Sequence, residues 1–304
     1  MTEDRLDRRL RSHHPELSWA RIRSAIERGQ VTVDGRVVRE PAFEVLRSAL
    51  VLLDLTRPAL PTARLELTRL YEEDDVLVID KPAGLLTIAS RSDARATEDT
   101  VLRRVQDYAR RLHGGRAYAG VLHRLDRDTS GALAVALSRD AHSAGRELFA
   151  EHAFDRTYLA IVQGVPRVDR GTIEAAISDS YVGGRRRIAH HGHEGRHAVT
   201  HYRVLERFGS ASLLELILET GRQHQIRLHL KELGHPLLGE GVYVDESICG
   251  GKRINARRQM LHAWRLRFPH PLNRRPIAVE APIPPDFDRL LARLHGRPRK
   301  GRAE

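Results

Sequence analysis

The stretch His123-Arg124-Leu125-Asp126-Arg127-Asp128-Thr129-Ser130-Gly131 decides how this chain is interpreted. It places one carboxylate, Asp126, among basic residues just before a Thr-Ser-Gly turn. An aliphatic run, Ala132 to Leu137, follows directly and predicts a buried strand. A carboxylate at such a junction is held on a rigid scaffold, as a nucleophile or a general base requires. The same nine residues also fit a solvated acidic loop with a structural ion pair, and alone they do not separate these interpretations.

Two later segments carry further candidate residues. Asp155 to Val162 has the pattern of a strand and contains Tyr158, although a tyrosine among aliphatic residues is more often part of the core than a catalytic group. Thr220 to Leu230 predicts a helix that Gly234 ends. Arg227 lies on a polar face of that helix, and such a face is ordinarily solvated. Neither segment identifies a reaction by itself.

Composition narrows the class of partner. The 304 residues are enough for one large domain and a small one, and 41% hydrophobic with 30% charged residues describes a soluble globular protein. A net charge of +11 favours an anionic partner, nucleic acid first and a membrane surface second. Of 51 basic residues, only Lys81, Lys231, Lys252 and Lys300 are lysines. Arginine binds phosphate in a bidentate manner, but an arginine bias can equally reflect genome composition.

Cysteine content and hydropathy exclude several classes. Cys249 is the only cysteine, so the chain can form neither an internal disulfide nor a thiolate-rich metal site. The charged start, residues 1–7, lacks the apolar core of a signal peptide. No apolar run approaches the roughly 20 residues needed to span a bilayer. We therefore expect a cytoplasmic protein, and nothing in the sequence demands more than a monomer.

The first 56 residues predict a separate small unit. Leu6 and Leu10, and then Ile22 and Ile26, have helical spacing, with Ser18 as a candidate N-cap of the second helix. Gly29 would end that helix. Val31 to Val38, with Asp34-Gly35 at its centre, predicts a tight hairpin, and residues 50–55 predict a further strand. The polar helix faces carry several arginines, among them Arg21, Arg23 and Arg28.

The rest of the chain predicts an α+β fold with a mixed, largely antiparallel sheet. Strands are expected at 76–80, 119–125, 131–137, 157–163, 198–206, 212–219 and 259–268, and helices at about 101–112, 140–152 and 220–230. Helices and strands alternate irregularly, and several strands follow one another directly, which favours this class over a doubly wound sheet. We find no internal repeat.

The first 56 residues resemble the alpha-L RNA-binding module that is also found in the ribosomal S-four protein. The matching residues are Arg5-Leu6-Asp7, Ser18-Trp19-Ala20-Arg21-Ile22-Arg23 and Ile26 to Gly35. This resemblance implies a small N-terminal α/β-hairpin domain whose arginine-bearing helices, with Arg21, Arg23 and Arg28, contact the RNA backbone.

The larger part of the chain resembles the RluA-type pseudouridine synthases. His123 to Gly131 fits that family's His-Arg-Leu-Asp-x-x-Thr-Ser-Gly block, and Tyr158 lies in its Arg-x-Tyr-x-Ala block. Thr220 to Leu230 fits its Thr-Gly-Arg-x-His-Gln-Ile-Arg block. Asp80 to Gly84, Leu261 to Trp264 and Phe268 to Pro271 fit further family motifs in the correct order. The resemblance implies a catalytic domain of the pseudouridine synthase type, and an alpha-L module upstream is a known arrangement in this family.

The resemblance assigns roles to individual residues. Asp126 would attack the target uridine at its sugar C1′, and Arg227 would pair with that carboxylate. Tyr158 would stack on the uracil and help remove the proton from C5. Arg124 would enter the helix stack that the extruded uridine leaves, because the reacting atoms are inaccessible in a stacked nucleotide. The reaction is redox-neutral, so we expect no cofactor and no metal.

These inferences combine into one organisation of the chain. We predict an alpha-L RNA-binding domain at 1–56, a linker at 57–68, a pseudouridine synthase catalytic domain at 69–290 and a basic tail at 291–304. The substrate would be structured RNA, with ribosomal RNA expected first and transfer RNA second. The alternative is a non-catalytic RNA-binding or ribosome-assembly protein that retains the synthase fold, although such a protein would not need Asp126, Tyr158 and Arg227 together.

Three features depart from the family pattern or compete with it. Residues 87–90 replace an aliphatic-histidine pair that many members carry, and Glu240 stands where an aspartate is more usual. We expect neither change to touch the catalytic residues, but both could alter which RNA fits. His193-Glu194-Gly195-Arg196-His197 matches the zinc-protease pattern His-Glu-x-x-His, but that chemistry needs a helix, which Gly195 disfavours. A basic loop that could touch RNA phosphate is the preferred interpretation of residues 183–196, and a zinc hydrolase is a distant third function.

Overall fold

The computed structural model describes residues 3–38, 41–57, 67–73, 75–89, 99–113, 117–180, 185–189, 195–243 and 254–296. The chain forms two compact units, one of Met1–Glu66 with Arg103–Ala119 and one of Leu67–Leu102 with Gly120–Glu304. The predicted linker and basic tail lie largely outside the described residues. Within the described ranges, no helix has both the length and the apolar character needed to cross a bilayer. The domain boundaries predicted from the sequence stay a prediction.

The described residues 3–57 of the N-terminal unit form two short helices and two small sheets. Its elements are β1 (Glu3–Arg5), α1 (Leu6–His13), α2 (Trp19–Glu27), β2 (Val31–Val33), β3 (Arg36–Val37), β4 (Glu44–Leu46) and β5 (Val51–Leu53). Strands β3, β2 and β5 form one antiparallel sheet, and β1 pairs with β4 in the other. The helices and the β2–β3 hairpin are confirmed, whereas the sequence did not predict the β1–β4 pair.

Apolar spacing explains why this unit folds as it does. Leu6, Leu10, Ile22 and Ile26 are buried in one cluster together with the inward-facing residues of β2 and β4. The Ser18 side chain accepts a hydrogen bond from the backbone N–H of Arg21, so the predicted N-cap of α2 is confirmed. Gly29 follows the helix with a φ of 71°, a left-handed conformation that suits glycine at a helix end.

The second unit is built around one large sheet. The elements that follow β5 are, in chain order, β6 (Thr68–Glu73), β7 (Val76–Lys81), α3 (Val101–His113), β8 (Gly120–Val121), β9 (Ser130–Ala136), α4 (Arg139–Ala150), β10 (Asp155–Gln163), β11 (Arg170–Glu174), β12 (Ile177–Ser178), β13 (Gly195–Arg196), β14 (Val199–Arg207), β15 (Ala211–Leu218), α5 (Gln225–Glu232), β16 (Leu261–Pro269), β17 (Pro276–Glu280) and α6 (Pro285–Leu294). Of α3, only Val101 and Leu102 belong to the second unit.

The 10-stranded sheet has the order β11-β14-β15-β10-β16-β9-β7-β6, with β17 beside β16 and β8 beside β9. Every pairing in this sheet is antiparallel except that of β9 with β16, which is parallel. The sheet is therefore mixed and largely antiparallel, and the fold class predicted from the sequence is confirmed. The parallel pair joins residues about 130 positions apart and places the start of β9 in the middle of the sheet.

Helices cover the sheet where its strands are most apolar. Ala141 and Leu148 of α4 pack with the alanines of β9 and with Val76 and Val78 of β7. Phe287 of α6 packs against a second cluster that includes β10 and the start of β16. The α4 cluster also contains Leu122 and Ala132, which flank the segment that carries Asp126. The loop between β8 and β9 is therefore attached to a rigid base.

Two element boundaries differ from the sequence prediction. The strand expected at 119–125 is only Gly120–Val121, because the chain leaves the sheet and Leu125 instead binds the Thr87 hydroxyl through both its backbone N–H and its C=O. The helix expected from Thr220 begins at Gln225. The preceding turn is closed by the Gln225 side chain, whose Oε1 accepts hydrogen bonds from Thr220 and from the Arg222 N–H.

Gly131 generates a prediction about stability. Its φ is +114°, and a Cβ at this position would lie 2.1 Å from the backbone oxygen of Ala263 in β16. We expect Gly131→Ala to lower the free energy of unfolding by about 3 kcal/mol or more, since both the backbone strain and the clash with backbone must be relieved. Urea titration followed by circular dichroism would measure this change in the free energy of unfolding.

The matched control is Gly241→Ala, where a Cβ meets nothing within 4 Å. That variant should stay within about 0.5 kcal/mol of the wild type. Equal stability of the two variants would contradict the close approach of β9 and β16.

Candidate functional site

The loop that carries Asp126, residues 125–130, is held by buried polar side chains from distant parts of the chain. Thr87 binds Leu125, the Lys81 Nζ donates to the Arg127 C=O (2.8 Å), the Arg258 Nη1 donates to the Asp128 C=O (3.0 Å), and the Gln259 Nε2 donates to the Thr129 hydroxyl (2.8 Å). Buried hydrogen bonds of this kind fix backbone position, because a broken one leaves an unpaired polar group in the interior. The loop is therefore preorganised.

Lys81 is fully buried beneath this loop. Its ammonium donates to the carbonyl oxygens of Pro82 (2.8 Å), Leu85 (2.7 Å) and Arg127 (2.8 Å). Burial lowers the pKa of Lys81 to about 7, although the nearby Asp128 and Asp126 oppose that shift. Three acceptors match the three N–H groups of the charged form. The sequence motif includes Lys81 but does not predict that its ammonium supports the loop that carries Asp126.

Asp126 and Arg227 form the pair that the sequence predicted. The Arg227 Nη1 donates to Asp126 Oδ2 at 3.2 Å, across 101 positions of the chain. The Asp126 side chain is 17% exposed and that of Arg227 is 8% exposed, so the carboxylate is partly open whereas the guanidinium is not. Oδ1 of Asp126 has no hydrogen bond within the described residues, and His224 Nε2 lies 3.8 Å from it. One carboxylate oxygen is thus anchored and the other is available.

Glu240 anchors the other side of Arg227. The Arg227 Nε and Nη2 donate to Glu240 Oε2 and Oε1 at 2.8 and 2.7 Å, a bidentate pair with the Glu240 side chain only 2% exposed. Glu240 also accepts the backbone N–H groups of Val242 and Tyr243. Burial alone would lower the pKa of Arg227, but Glu240 and then Asp126 raise it above its usual value. Arg227 is therefore a fixed cation.

These contacts correct one expectation. The sequence predicted that Glu240 would not touch the catalytic residues, which is wrong, because Glu240 binds Arg227. Thr87 binds Leu125 rather than a predicted catalytic residue, so the expectation for residues 87–90 stays a prediction. Helical spacing alone placed Arg227 on an ordinarily solvated face, whereas the resemblance paired it with Asp126, and the structure buries it. The periodicity of α5 places Arg227 on a polar face, but only the long-range contacts of that face show that an acidic group covers it.

His224 is a further residue that the sequence analysis did not assign. It precedes α5 with a φ of 59°, which is uncommon for a residue other than glycine and is typical of functional sites. Its Nδ1 lies 2.6 Å from the hydroxyl of Tyr243, and the Tyr243 ring lies under Arg227. His224, Tyr243 and Glu240 thus form one connected support for the Asp126–Arg227 pair.

A cavity of about 440 Å³ opens over Asp126. Tyr158, Arg124 and Arg227 line it together with Asp126, so the structure brings the predicted residues of the large unit to one place. Tyr158 follows a β-bulge in the pairing of β10 with β16, and a bulge of this kind re-aims side chains beside active sites. Burial raises the pKa of Tyr158, so its phenol is neutral.

The cavity wall is strongly cationic. Arg124, Arg146, Arg156, Arg222 and Arg227 line it, and Asp126 is the one acidic residue among the described side chains of its wall. Arg124 and Arg146 are exposed. Such a distribution suits a ligand that is anionic where it meets the opening.

The three N-terminal arginines differ in availability. All are exposed on α2 or just beyond it, but the Arg23 Nε lies 3.3 Å from the buried Asp7 and its guanidinium lies over Trp19. Arg21 and Arg28 have no ion pair within the described residues and border a surface depression that Arg57 completes. Arg21 and Arg28 are therefore the better candidates for phosphate contact.

The His-Glu-x-x-His pattern does not form a helix in its described part. Gly195 and Arg196 belong to β13 and pair with Ile177 and Ser178, while residues 190–194 lie outside the described residues. In the ranges that the structure describes, no three histidine, cysteine or acidic side chains are grouped as metal ligands would be. The His197 side chain instead lies 2.8 Å from Glu174.

Comparison with known proteins identifies relatives of the whole chain. The model of the RNA pseudouridylate synthase family matches residues 75–232, and that of the S4 domain matches residues 4–51. Ribosomal large subunit pseudouridine synthase D of Zymomonas mobilis is 36% identical over 95% of this chain and 93% of its own. The protein of the same name from Xanthomonas campestris is 37% identical over 95% of this chain and 88% of its own.

Solved structures agree in fold. The human protein named RNA Pseudouridylate Synthase Domain Containing 4 superposes with a TM-score of 0.62 and is 25% identical, covering 75% of this chain and 93% of its own.

The buried Arg227–Glu240 pair generates a prediction. We expect Glu240→Gln to lower the free energy of unfolding by about 3 kcal/mol, because the buried guanidinium loses its bidentate carboxylate partner and keeps only the single contact with Asp126. Chemical denaturation at neutral pH would measure the change. Glu280→Gln is the matched control, since Glu280 pairs with Arg265 at 2.9 Å on the surface. The control should lower the free energy of unfolding far less. Similar losses of stability in both variants would contradict the large contribution expected from the buried Arg227–Glu240 pair.

Proposed function

Because the chain belongs to the RNA pseudouridylate synthase family and carries an S4 domain at its N-terminus, we propose that it converts uridine to pseudouridine in large-subunit ribosomal RNA. Asp126 is the proposed nucleophile. The observation that carries this proposal is a partly open carboxylate, fixed by a buried arginine, in a cationic cavity. Two relatives from different bacteria are named ribosomal large subunit pseudouridine synthases, which supports ribosomal RNA as the substrate.

The reaction is an isomerisation, so the site has only to break and form bonds within one nucleotide. Oδ1 of Asp126, which no described side chain binds, attacks C1′ of the ribose while Arg227 holds Oδ2. The N1–C1′ bond breaks, the base turns and a C5–C1′ bond forms as Asp126 leaves. C5 loses its proton and N1 carries one in the product, so no atom or electron is gained or lost.

Arg227 and its support have a positioning role in this scheme. Glu240 takes two of the guanidinium contacts and Asp126 takes one, so Arg227 orients the nucleophile without enclosing it. The fixed loop geometry keeps the carboxylate near the position that attack requires, which reduces the reorganisation needed in the transition state.

Tyr158 and Arg124 act on the nucleotide rather than on Asp126. The neutral phenol of Tyr158 lies in the cavity, where its ring packs against the extruded base. Since burial raises the pKa of Tyr158, stacking is its main role and removal of the C5 proton is secondary. Arg124 is exposed at the cavity wall, two residues before Asp126, from where it fills the space that the extruded uridine leaves.

The experiment that tests the proposed function maps pseudouridine in total RNA from cells with and without this gene. Chemical labelling followed by primer-extension stops should show the loss of one or a few sites in large-subunit ribosomal RNA, restored by the wild-type gene. Sites lost only in transfer RNA would overturn the proposed substrate. Purified protein should also modify an unmodified transcript that spans the lost site.

Asp126→Asn tests the proposed nucleophile. We expect this variant to lose isomerisation to below the detection limit, because the neutral amide cannot form the covalent bond, whereas its affinity for the RNA stays within about threefold of the wild type. Asp128→Asn in the same loop is the control and should keep most of the activity. Turnover by Asp126→Asn would show that another group attacks the nucleotide.

Arg21 and Arg28 test the role of the N-terminal unit. We expect the double variant Arg21→Ala/Arg28→Ala to bind RNA more weakly and to reduce the slope of log K against log salt by about 1 to 2, because two phosphate contacts are lost. Filter binding at several salt concentrations measures the slope. Arg289→Ala, an exposed helical arginine on α6, should leave the slope unchanged. An unchanged slope in the double variant would show that Arg21 and Arg28 do not contact RNA phosphate.

A further inference from the structure

His123 is a buried histidine of the cavity wall that the proposed reaction does not use. It is 8% exposed and stands three residues before Asp126. The backbone N–H of Ala134 in β9 donates to His123 Nε2 at 3.1 Å. Because Nε2 accepts this hydrogen bond, the proton of the neutral ring must be on Nδ1. The fold therefore sets the tautomer of this ring.

The ring also stays neutral. Burial, reinforced by the nearby positive charge of Arg156, lowers the pKa of His123 to about 3. At physiological pH the side chain is therefore a hydrogen-bond donor without charge, in contrast to the arginines of the same cavity. A neutral donor suits a neutral acceptor, such as a carbonyl oxygen.

Nδ1 has no partner within the part of the chain that the structure describes. Among those residues, the Arg156 Nε is the only fully enclosed side-chain nitrogen or oxygen that lacks a hydrogen bond, so the His123 Nδ1 is not sealed in the interior. The ring lines the cavity that contains Asp126 and Tyr158. Its Nδ1–H is the ring group left for a molecule that enters this cavity.

The surroundings of His123 favour a base over a phosphate. Its ring lies parallel to that of Phe149, with centroids 6.3 Å apart and an angle of 3°, and edge-on to Phe154. Buried Tyr158 lines the same cavity, whereas the exposed arginines Arg124 and Arg146 supply charge. A planar heterocycle fits among the aromatic rings, and the phosphates of the same nucleotide fit the arginines.

We propose that His123, through its Nδ1–H, donates a hydrogen bond to a carbonyl oxygen of the target uracil, O2 or O4, and so determines how the base lies beside Asp126. The inference rests on the proposed function and adds a base-recognition residue to it. A donor to O4 also disfavours cytosine, whose amino group at that position is itself a donor. A donor to O2 orients the base without distinguishing the two pyrimidines.

Thio-substituted RNA tests the contact with wild-type protein alone. A short RNA that spans the modified site carries uridine, 2-thiouridine or 4-thiouridine at the target, and single-turnover rates are measured on each. Sulfur is a weak acceptor, so we expect one of the two substitutions to slow the wild-type protein about tenfold more than the other. Equal rates on both thio-RNAs would overturn the proposal.

Two variants show whether His123 is the donor. His123→Gln can retain an acceptor for the Ala134 N–H but has no donor at the Nδ1 position. We expect its rate on uridine to fall about tenfold, and the thiouridine that slows the wild type more should not slow this variant further. His123→Asn has a donor near the Nδ1 position but cannot reach the Ala134 N–H, so the same thiouridine should still slow this variant. An undiminished thio effect in His123→Gln, or its loss in His123→Asn, would overturn the proposal.

The RNA that carries ordinary uridine at the target distinguishes a failure of this inference from a failure of the proposed function. If the wild type fails to convert uridine in the large-subunit ribosomal RNA fragment, the proposed substrate is wrong, and the three RNAs are then made for the site found by mapping total RNA. If the wild type converts the uridine and neither oxygen matters, only the role of His123 is wrong.

Discussion

One buried guanidinium connects the parts of the site. Arg227 binds Glu240 through two hydrogen bonds and Asp126 through one, and its plane lies over Tyr243. A cation in this position could not be left unpaired in the interior, since the desolvation cost of a lone buried charge is several kcal/mol. The helix α5, the loop at Glu240 and the loop at Asp126 must therefore come together in one arrangement. The other hydrogen bonds of the site adjust the details of an arrangement that the buried charge of Arg227 requires.

The cavity separates two kinds of interaction. Arg124 and Arg146, which are exposed, supply positive charge, and the buried rings of His123 and Tyr158 supply flat, uncharged surface. An RNA backbone is attracted over a long range and with little sequence preference by the first set. In the proposed reaction, selection of a uridine depends on the second set and on whether the nucleotide can leave its stack. The proposal thus assigns affinity and selectivity to different side chains within one cavity.

Much of the fold and of the site was predictable because it depends on local patterns. The apolar spacing of Leu6, Leu10, Ile22 and Ile26 and the Ser18 cap follow from helix geometry. Asp126, Tyr158 and Arg227 lie around one cavity, as the resemblance to a known family implied, while their individual roles stay predictions.

Long-range contacts were not predictable in this way. In the sequence, Glu240 and Thr87 are only departures from a family pattern, because nothing in their neighbouring residues shows that they meet Arg227 and Leu125. Helix α5 begins five residues later than the spacing predicts, since the Gln225 side chain replaces the first helical turn by binding Thr220 and Arg222. The His123 tautomer depends on a backbone N–H of the neighbouring strand, which no spacing rule indicates.

The parallel pairing of β9 with β16 has a consequence for biosynthesis. Ser130 at the start of β9 binds His262 across 132 positions of the chain, and Arg258 and Gln259 hold the same loop. At the usual rates of translation, roughly 5 to 20 residues per second, the ribosome needs on the order of ten seconds to add the residues between them. The N-terminal unit's two helices and hairpin emerge well before that. A nascent chain therefore carries Asp126 for some time before the partners that hold its loop have been synthesised.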